Sequence, residues 1–584
     1  MRDRAMLQER PDRRTVVGVL AILLLAFLGA TGLRPLNVPD EGRYADVARW
    51  MLRSGDFVTP RLAGVPFLHK PPLFYWLEAS SFWAFGVHVW SARLVPALLG
   101  FAGCALTFAA GARLYGRRAG LLAAVILAAS PYYFVASEYV NHDLTVSTFI
   151  TAALFLFTLG DRAGPRSRGP LLLGAWGACG LALLTKGLIG LVIPIGVVGL
   201  WIAATSRWRE IPRYRLVSGL ALAAAIAVPW HLAAERATPG LLHELYVVQH
   251  FQRYAATGFN NAKGPWFYPV LIVAGLVPWT PLLPGACARA WRAFRAERDL
   301  GRSDLLLLVW PAFVVLFFSI PQSKLAGYAL PALPPLALLL GRHVDALWRE
   351  GTRSRALAAS GLAVGVVGAG LVAAPFLSAF PPLPRPVLAG VLLTGAVGVA
   401  AAVVAFRAAR AGEPGRATLA LAAFVAALVA GGMPAVPHFT RDSALPLAND
   451  LSSLLRPGDT LAFYGRYYYD LPFYLDLRTP PIVAENWDDP EIPRRDNWQS
   501  EVLSGRVLEP RSQEWLVSFD ELAARCAGAR CFVLAPRWRE AELQLRLPVV
   551  KLAQENRIAL YGPPDALSGG AAAGAAPGPA AAAR

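Results

Sequence analysis

The sequence contains little charge for its length. Asp, Glu, Lys and Arg make up 16% of its 584 residues, whereas soluble domains carry about 25% charged residues. Hydrophobic residues account for 55% of the chain, and the mean hydropathy is +0.43. This balance excludes an ordinary soluble protein and indicates an integral membrane protein.

Acidic residues are especially scarce, so the chain carries a formal net charge of +17. A basic chain can indicate nucleic-acid binding. In a membrane protein, however, Lys and Arg also collect in the cytoplasmic loops. The arginines here fall in the N-terminal tail and in every second loop after it. The charge is therefore mostly a topology signal, and we expect no nucleic-acid partner.

Cysteine is scarce too, with five residues in the chain. Cys104, Cys179 and Cys287 lie in or near apolar runs, where cysteine packs as a small apolar side chain. Cys526 and Cys531 are separated by four residues in a more polar region and can pair in an oxidising compartment. No second pair of ligands matches them, which argues against a zinc site there.

Long apolar runs dominate the first three quarters of the chain. A membrane-spanning helix needs about 20 mostly apolar residues, and thirteen runs approach this length. We therefore predict an integral membrane all-α bundle of about 13 transmembrane helices. The predicted spans are 15–33, 91–114, 119–135, 143–159, 170–184, 187–205, 216–232, 266–283, 304–320, 325–340, 356–376, 386–406 and 417–433.

The loop charges predict an orientation. The arginine-rich loops alternate with short loops that are nearly bare of charge, so the N-terminus is expected on the cytoplasmic side. Thirteen spans then place the C-terminus outside. The first span is longer than the apolar core of about 7–15 residues in a signal peptide, so we expect it to be retained.

Two outer loops break the alternation, because 34–90 and 233–265 are long, aromatic and rich in basic residues. We expect both to form short helices on the membrane surface. We assign residues 1–437 to the membrane domain, with 34–90 as the catalytic loop. Residues 438–564 alternate strand-like and helical runs, which predicts a small α/β domain outside the membrane. The Ala/Gly/Pro-rich segment 565–584 is predicted to be disordered.

The first outer loop contains a helical pattern that begins near Asp40. One interpretation makes Asp40 the N-cap of this helix, with basic neighbours that are merely solvated. Another follows from spacing, because Asp40, Arg43, Tyr44 and Val47 fall on one face of the helix. If the apolar end of that face packs on the bundle, the polar end lies at its mouth.

Further ionisable residues map to the same predicted outer face. Lys70 precedes a proline and so favours an extended backbone. Asp143 stands at the outer start of the fourth predicted span, either as a functional group or as a carboxylate favoured by the helix dipole. Two carboxylates among several cations suit group transfer from a phosphate ester. The other members of the set are His250, Arg253, Lys186, Lys324 and Tyr328.

Five segments carry a resemblance to one family. They are 39–45 (PDEGRYA), 54–61 (SGDFVTPR), 70–77 (KPPLFYWL), 184–187 (LTKG) and 323–328 (SKLAGY). The chain resembles the ArnT-like lipid A aminoarabinose transferases, members of the GT-C glycosyltransferases that also include the protein O-mannosyltransferases. The resemblance implies a GT-C bundle and transfer of a sugar, with inversion, from a polyprenyl phosphate carrier. It further implies that the sugar is an aminoarabinose-like pentose or a hexose, and that the acceptor is a component of the cell envelope such as lipid A or another glycan.

The resemblance also implies roles for individual residues. Asp40 matches the principal catalytic aspartate and Asp143 a second functional acidic position. The positions implied to bind substrate, chiefly the carrier phosphate, are Glu41, Arg43, Tyr44, Lys70, Arg253, Lys324 and Tyr328. His250 falls near a divalent-metal site of the aminoarabinose transferases, and His69 replaces the glutamate that relatives usually carry before Lys-Pro. Imidazole is a suitable zinc ligand, so His69 and His250 either hold a zinc-like metal or mark a site that has been lost.

Other classes of function predict different features. Transfer to a protein hydroxyl, as in O-mannosyltransferases, would make Asp40 a general base. A lipid-linked substrate transporter would show ionisable groups near mid-membrane and repeated halves, and the sequence shows few of the former and no obvious repeat. A non-catalytic scaffold would tolerate Asp40→Asn. The transferase is the hypothesis that the motifs favour.

Overall fold

The computed structural model describes residues 11–252, 262–296, 300–377, 380–439 and 443–566, with the backbone alone for 250–252. The chain forms two compact units. The first unit comprises Met1–Arg34, Asp56–Thr59 and Leu68–Phe439, and the second comprises Pro35–Gly55, Pro60–Phe67 and Thr440–Arg584.

Helices form most of the described chain. In chain order they are α1 Arg13–Ala30, α2 Asp40–Ser54, α3 Leu73–Phe85, α4 Val89–Tyr115, α5 Arg117–Ala128, α6 Pro131–Ser137, α7 His142–Arg162, α8 Pro165–Lys186, α9 Ile189–Thr205, α10 Leu216–Ala237, α11 Phe267–Gly275, α12 Leu283–Arg295, α13 Gly301–Ser319, α14 Leu333–Glu350, α15 Arg355–Ala373, α16 Arg385–Ala411, α17 Pro414–Ala427, α18 Leu445–Leu454, α19 Leu471–Tyr474, α20 Trp498–Leu508, α21 Phe519–Cys526 and α22 Glu540–Arg546.

The first unit is the predicted helical bundle. Within the described residues, nine helices are long and apolar enough to cross a membrane, or up to eleven if two bent pairs each count as one span. The expected number of thirteen is not confirmed. The predicted span 187–205 is a helix of 17 residues, Ile189–Thr205. The predicted span 325–340 comprises a 3-10 helix, Ala326–Ala332, and only the first part of α14, which carries four charged residues after Gly341. The chain is a multi-pass membrane protein of mostly helical fold.

Two of the predicted spans are bent. Helices α5 and α6 meet at 69°, and α11 meets the helical segment Thr280–Arg295 at 108°. A proline stands at each break, with Pro131 opening α6 and Pro278 preceding Thr280. Proline has no backbone N–H and its ring clashes with the preceding turn, so it starts a helix more readily than it continues one.

Small residues set the closest helix packing in this unit. Gly368 of α15 and Gly395 of α16 face each other so closely that a Cβ at Gly368 would lie 2.8 Å from the carbonyl oxygen of Gly395. In a membrane, helices associate through van der Waals contact, and small side chains let their backbones approach. Helices α15 and α16 can thus pack closely because glycine has no side chain at their contact. Elsewhere in the core, bulky residues such as Trp279 and Trp310 are buried.

The second unit contains the predicted α/β domain. Its six-stranded sheet has the order β5-β4-β3-β6-β8-β7, in which β5, β4, β3 and β6 are parallel and β8 and β7 are antiparallel. Ser518 caps α21, and Ser518 and Glu521 form the predicted capping box. The strands are β1 Arg61–Leu62, β2 Val65–Pro66, β3 Thr460–Tyr464, β4 Ile482–Ala484, β5 Leu516–Val517, β6 Cys531–Pro536, β7 Val550–Glu555 and β8 Ile558–Gly562.

A disulfide joins Cys526, at the end of α21, to Cys531, at the start of β6. The two residues are buried in the core of this domain beside Val533 and Leu522. The cross-link therefore fixes the turn that leads from a helix into a central strand. The predicted disordered segment 565–584 lies almost entirely outside the described residues.

The second unit also includes two pieces of the first outer loop. Helix α2 and the hairpin β1–β2 both belong to it. Gly42 of α2 packs against the backbone of the domain, where a Cβ would come within 2.8 Å of the Asp470 nitrogen. Glycine costs about 1 kcal/mol relative to alanine inside a helix, and here it permits this close approach.

Candidate functional site

The motif helix α2 carries the predicted catalytic aspartate at its first position. The N-cap is Pro39, without a side-chain cap, so the interpretation of Asp40 as an N-cap is wrong. The carboxylate of Glu41, fully buried, instead accepts a hydrogen bond from the backbone N–H of Asn37 at 2.7 Å. Asp40 is left with a carboxylate that is 39% exposed, in a first turn where the helix dipole favours negative charge.

The predicted face of α2 becomes more buried along its length. The side chain of Arg43 is 14% exposed, Tyr44 is 8% exposed, and Val47 is fully buried. The Arg43 guanidinium lies 3.9 Å from Asp40 and 5.9 Å from the ring centre of Tyr44. The face therefore presents Asp40 at its open end and holds Arg43 behind it.

Two residues that the sequence analysis did not select hold Arg43. Its Nη1 lies 3.0 Å from the Glu501 carboxylate, and its Cζ lies 4.8 Å from the ring centre of Tyr469. The Tyr469 hydroxyl donates a hydrogen bond of 2.8 Å to Glu501. We call Arg43, Glu501 and Tyr469 the Arg43 cluster. Burial raises the pKa of Glu501 above its usual range, while the nearby charge of Arg43 opposes this rise.

A second cluster lies within the helical bundle. Asp143, in the first turn of α7, forms an ion pair with Lys186 at the end of α8, and both side chains are less than a tenth exposed. The ammonium of Lys186 also lies 4.7 Å from the ring centre of Tyr328. We call Asp143, Lys186 and Tyr328 the Asp143 cluster. The structure thus brings together three residues from sequence positions that are far apart.

The loop around Tyr328 is shaped to fit Asp143. A Cβ at Gly327 would overlap the Asp143 carboxylate, so the backbone at this position lies directly against it. Lys324, in the same loop, donates hydrogen bonds to the carbonyl oxygens of Pro321 and Lys263, the latter at 3.0 Å. Burial lowers the pKa of Lys324 below its usual range. Its ammonium is thus bound to carbonyl groups of the chain.

The remaining predicted residues occupy separate positions. Lys70 donates a hydrogen bond of 3.0 Å to the carbonyl oxygen of its neighbour His69. Both Lys70 and Lys186 act electrostatically on His142, whose ring packs 4.8 Å from Tyr75. His142 is therefore within electrostatic range of both lysines. Arg253 and the side chain of His250 lie outside the described residues.

The predicted metal ligands are His69 and His250. Among the described residues, no three His, Cys, Asp or Glu side chains gather closely enough to hold a metal ion. His69 is described, whereas its proposed partner His250 is described only in its backbone. A metal at these two residues stays a prediction, and no chemical step below depends on it.

The fold defines a multi-pass membrane protein of mostly helical structure. Residues 13–246 match the family model described as dolichyl-phosphate-mannose-protein mannosyltransferase. The crystal structure of ArnT from Cupriavidus metallidurans bound to undecaprenyl phosphate superposes with a TM-score of 0.80 and 26% identity. This superposition covers 94% of this chain and 97% of that one. The expected resemblance is thereby confirmed, and the chain is ArnT-like in sequence and in fold.

Curated relatives extend this similarity. The undecaprenyl phosphate-alpha-4-amino-4-deoxy-L-arabinose arabinosyl transferase of Erwinia tasmaniensis is 34% identical over 352 residues, which are 59% of this chain and 62% of that protein. One of the two such transferases of Sodalis glossinidius is 35% identical over 340 residues, 56% of this chain and 58% of that protein. The matched region thus spans about three fifths of the length of these relatives.

Proposed function

We propose that this protein is a membrane glycosyltransferase that moves a sugar from a polyprenyl phosphate carrier to a cell-envelope acceptor at the outer face. The observation that carries the proposal is the near full-length similarity to an ArnT structure bound to undecaprenyl phosphate. The names of the curated relatives support a pentose of the aminoarabinose type as the sugar and a lipid such as lipid A as the acceptor.

The reaction is a single displacement at the anomeric carbon of the sugar. The acceptor oxygen forms a bond to this carbon while the bond to the carrier phosphate breaks, which inverts the configuration. The polyprenyl phosphate leaves with the bonding electron pair, so cations near its oxygens stabilise the transition state. An acceptor hydroxyl must also lose a proton, whereas an acceptor phosphate is already an anion.

The residues divide naturally between these tasks. Asp40 has an exposed carboxylate next to a held arginine, which suits a group that orients the acceptor or removes its proton. Arg43 and Tyr44 on the same face, with Lys70, Arg253, Lys324 and Tyr328, would bind the carrier phosphate. Asp143 would keep Lys186 charged and in place through their buried ion pair.

A second candidate is transfer to a protein hydroxyl. The match of residues 13–246 to a protein mannosyltransferase family model favours it. In that case Asp40 acts as a general base, which typically contributes 10²–10⁴-fold in rate. The size of the defect in Asp40→Asn therefore distinguishes a hydroxyl acceptor from a phosphate acceptor.

The location follows from charge and redox chemistry. We propose the bacterial inner membrane, with a cytoplasmic N-terminus and the second unit in the periplasm. The alternation of arginine-rich loops supports this orientation, and the disulfide in the second unit suits an oxidising compartment. Labelling of single cysteines introduced near each end of the chain, in intact cells, would show on which side of the membrane each end lies.

The test is a transfer assay with the full-length protein reconstituted in lipid. A panel of polyprenyl phosphate sugars is offered with lipid A, glycan and peptide acceptors, and products are identified by mass spectrometry. We expect a pentose donor and a lipid acceptor to be productive and Asp40→Asn to lose transfer. The matched control is Asp56→Asn in the same loop, because Asp56 accepts hydrogen bonds from the backbone of Val58 and Thr59 that an amide oxygen can keep. Undiminished transfer by Asp40→Asn would refute the role of Asp40.

A further inference from the structure

The first unit contains a cavity that the proposed reaction does not use. Its volume is about 800 Å³, within the range of about 300–1,000 Å³ that is usual for ligand sites. The ends of α4, α12 and α14 form its walls. Tyr328 of the Asp143 cluster lies just before α14 begins, whereas Arg342, Arg349 and Glu350 line the cavity near the end of that helix. The cavity therefore lies at the other end of α14 from the Asp143 cluster.

Arginines dominate the walls of the cavity. Four of them line it directly, namely Arg289, Arg292, Arg342 and Arg349. Arg118 joins them through an ion pair of 2.5 Å with Asp345. The carboxylates on the walls are Asp345 and Glu350. Among the described residues, the arginines that line the cavity outnumber its two carboxylates, which leaves a surplus of positive charge.

Two of the arginines, Arg342 and Arg289, are held by further contacts. Arg342 pairs with Asp304, which is fully buried and also accepts a hydrogen bond of 2.5 Å from the Tyr115 hydroxyl. The Arg342 guanidinium lies 4.7 Å from the ring centre of Tyr115. Arg289 pairs with Glu350 at 3.1 Å. Such contacts fix the direction of these two guanidinium groups, which is what bidentate recognition of phosphate requires.

The surroundings indicate the membrane boundary. Trp291, next to Arg292, is 49% exposed, and tryptophan is enriched where a membrane meets water. Leu114 and Leu300 form the apolar part of the cavity wall. A ligand that combines a phosphate group with apolar chains would satisfy both the arginines and these leucines.

We propose that this cavity binds the phosphate-bearing headgroup of an anionic phospholipid. Basic pockets between transmembrane helices bind such headgroups at the cytoplasmic side, and the arginine distribution along the chain favours that side here. A lipid with two phosphates fits the size of the cavity and its several arginines better than a lipid with one. The site is separate from the proposed reaction and does not depend on it.

The test measures lipid binding to the full-length protein by native mass spectrometry in detergent. The probes are cardiolipin, phosphatidylglycerol, phosphatidylcholine and inorganic phosphate, each titrated separately. We expect affinity to fall in that order for the three lipids, with inorganic phosphate far weaker than phosphatidylglycerol. Phosphatidylcholine that binds as tightly as cardiolipin, or inorganic phosphate that binds as tightly as either anionic lipid, would overturn the proposal.

The variants separate the cavity from general surface charge. Each arginine near a membrane surface contributes about fivefold to the binding of an anionic lipid, so Arg292→Gln with Arg349→Gln should weaken cardiolipin binding by roughly 25-fold. The matched control is Arg407→Gln with Arg410→Gln, two exposed arginines near the end of α16 on the same predicted face. The proposal fails if the cavity pair has no effect, or if the control pair weakens binding equally.

Discussion

Replacing Glu501 by glutamine tests whether the second unit positions Arg43. The Glu501 carboxylate is 11% exposed, lies 3.0 Å from Arg43 and accepts a hydrogen bond of 2.8 Å from Tyr469. Glutamine keeps the size of the side chain and one acceptor oxygen but removes the charge. Hydrogen bonds to charged groups contribute about 1.5–3 kcal/mol and neutral ones about 0.5–1.5 kcal/mol, so the expected loss is about 1–1.5 kcal/mol.

This loss should appear as a defect in binding the carrier. If Arg43 binds the carrier phosphate, a loss of about 1–1.5 kcal/mol corresponds to a five- to tenfold rise in KM for the sugar donor, with a smaller change in kcat. The pH profile should change as well. Because burial raises the pKa of Glu501, the carboxylate takes up a proton as pH falls through that raised value, and its ion pair with Arg43 is lost. Glu501→Gln has no titrating group at this position, so its KM should lack the rise that the wild type shows at acidic pH.

The control is Glu509→Gln, near the end of the same helix α20. Glu509 pairs with Arg61 of β1 at 2.8 Å, so its replacement removes a comparable ion pair in the same unit without touching Arg43. Steady-state transfer would be measured for both variants with donor concentration and pH varied. The reasoning is refuted if Glu501→Gln retains the wild-type KM and pH profile, or if Glu509→Gln changes them to the same extent.

Three further outcomes are expected. Replacing Cys526 and Cys531 together by serine opens a loop of about six residues, so the second unit should lose about 2 kcal/mol of unfolding free energy in urea titrations. Burial raises the pKa of Asp470 to about 6, so the native state holds a proton that the unfolded chain releases, and stability should fall by about 3 kcal/mol as pH rises from about 4 to about 6. Asp470→Asn should remove that slope in hydrogen-exchange measurements on the second unit. Asp143→Asn leaves Lys186 buried without its counter-charge, a change that typically costs about 3–5 kcal/mol; adding Lys186→Met should restore thermal stability without restoring transfer.

The helical bundle could be predicted because its signal is local. A run of about 20 apolar residues identifies a span without knowledge of its neighbours, and the capping box at Ser518 identifies the start of α21 in the same way. The prediction is less accurate where a helix is apolar over only part of its length. Helix α14 is charged after Gly341, and its last turns line the cavity described above rather than extend an apolar span.

The partners of the motif residues could not be predicted because they are distant in sequence. Tyr469 lies 426 residues from Arg43, and no local pattern in the second unit identifies Glu501 as its ion-pair partner. The start of α2 was also misjudged, since a carboxylate after proline is a good N-cap by composition. Here Glu41 reaches back to the Asn37 N–H, which leaves Asp40 inside the helix.

Packing explains the four motif residues that follow Asp40. Glu41 satisfies a backbone N–H, Gly42 lets the helix approach the domain backbone, Arg43 pairs with a buried glutamate, and Tyr44 is 8% exposed. Asp40 is the most exposed of these side chains, and its distance of 3.9 Å from Arg43 makes a weak ion pair. A residue that contributes little to packing, held at the end of an otherwise fixed helix, is free to interact with substrate. We therefore keep Asp40 as the proposed reacting group, and its exposed carboxylate supports that proposal.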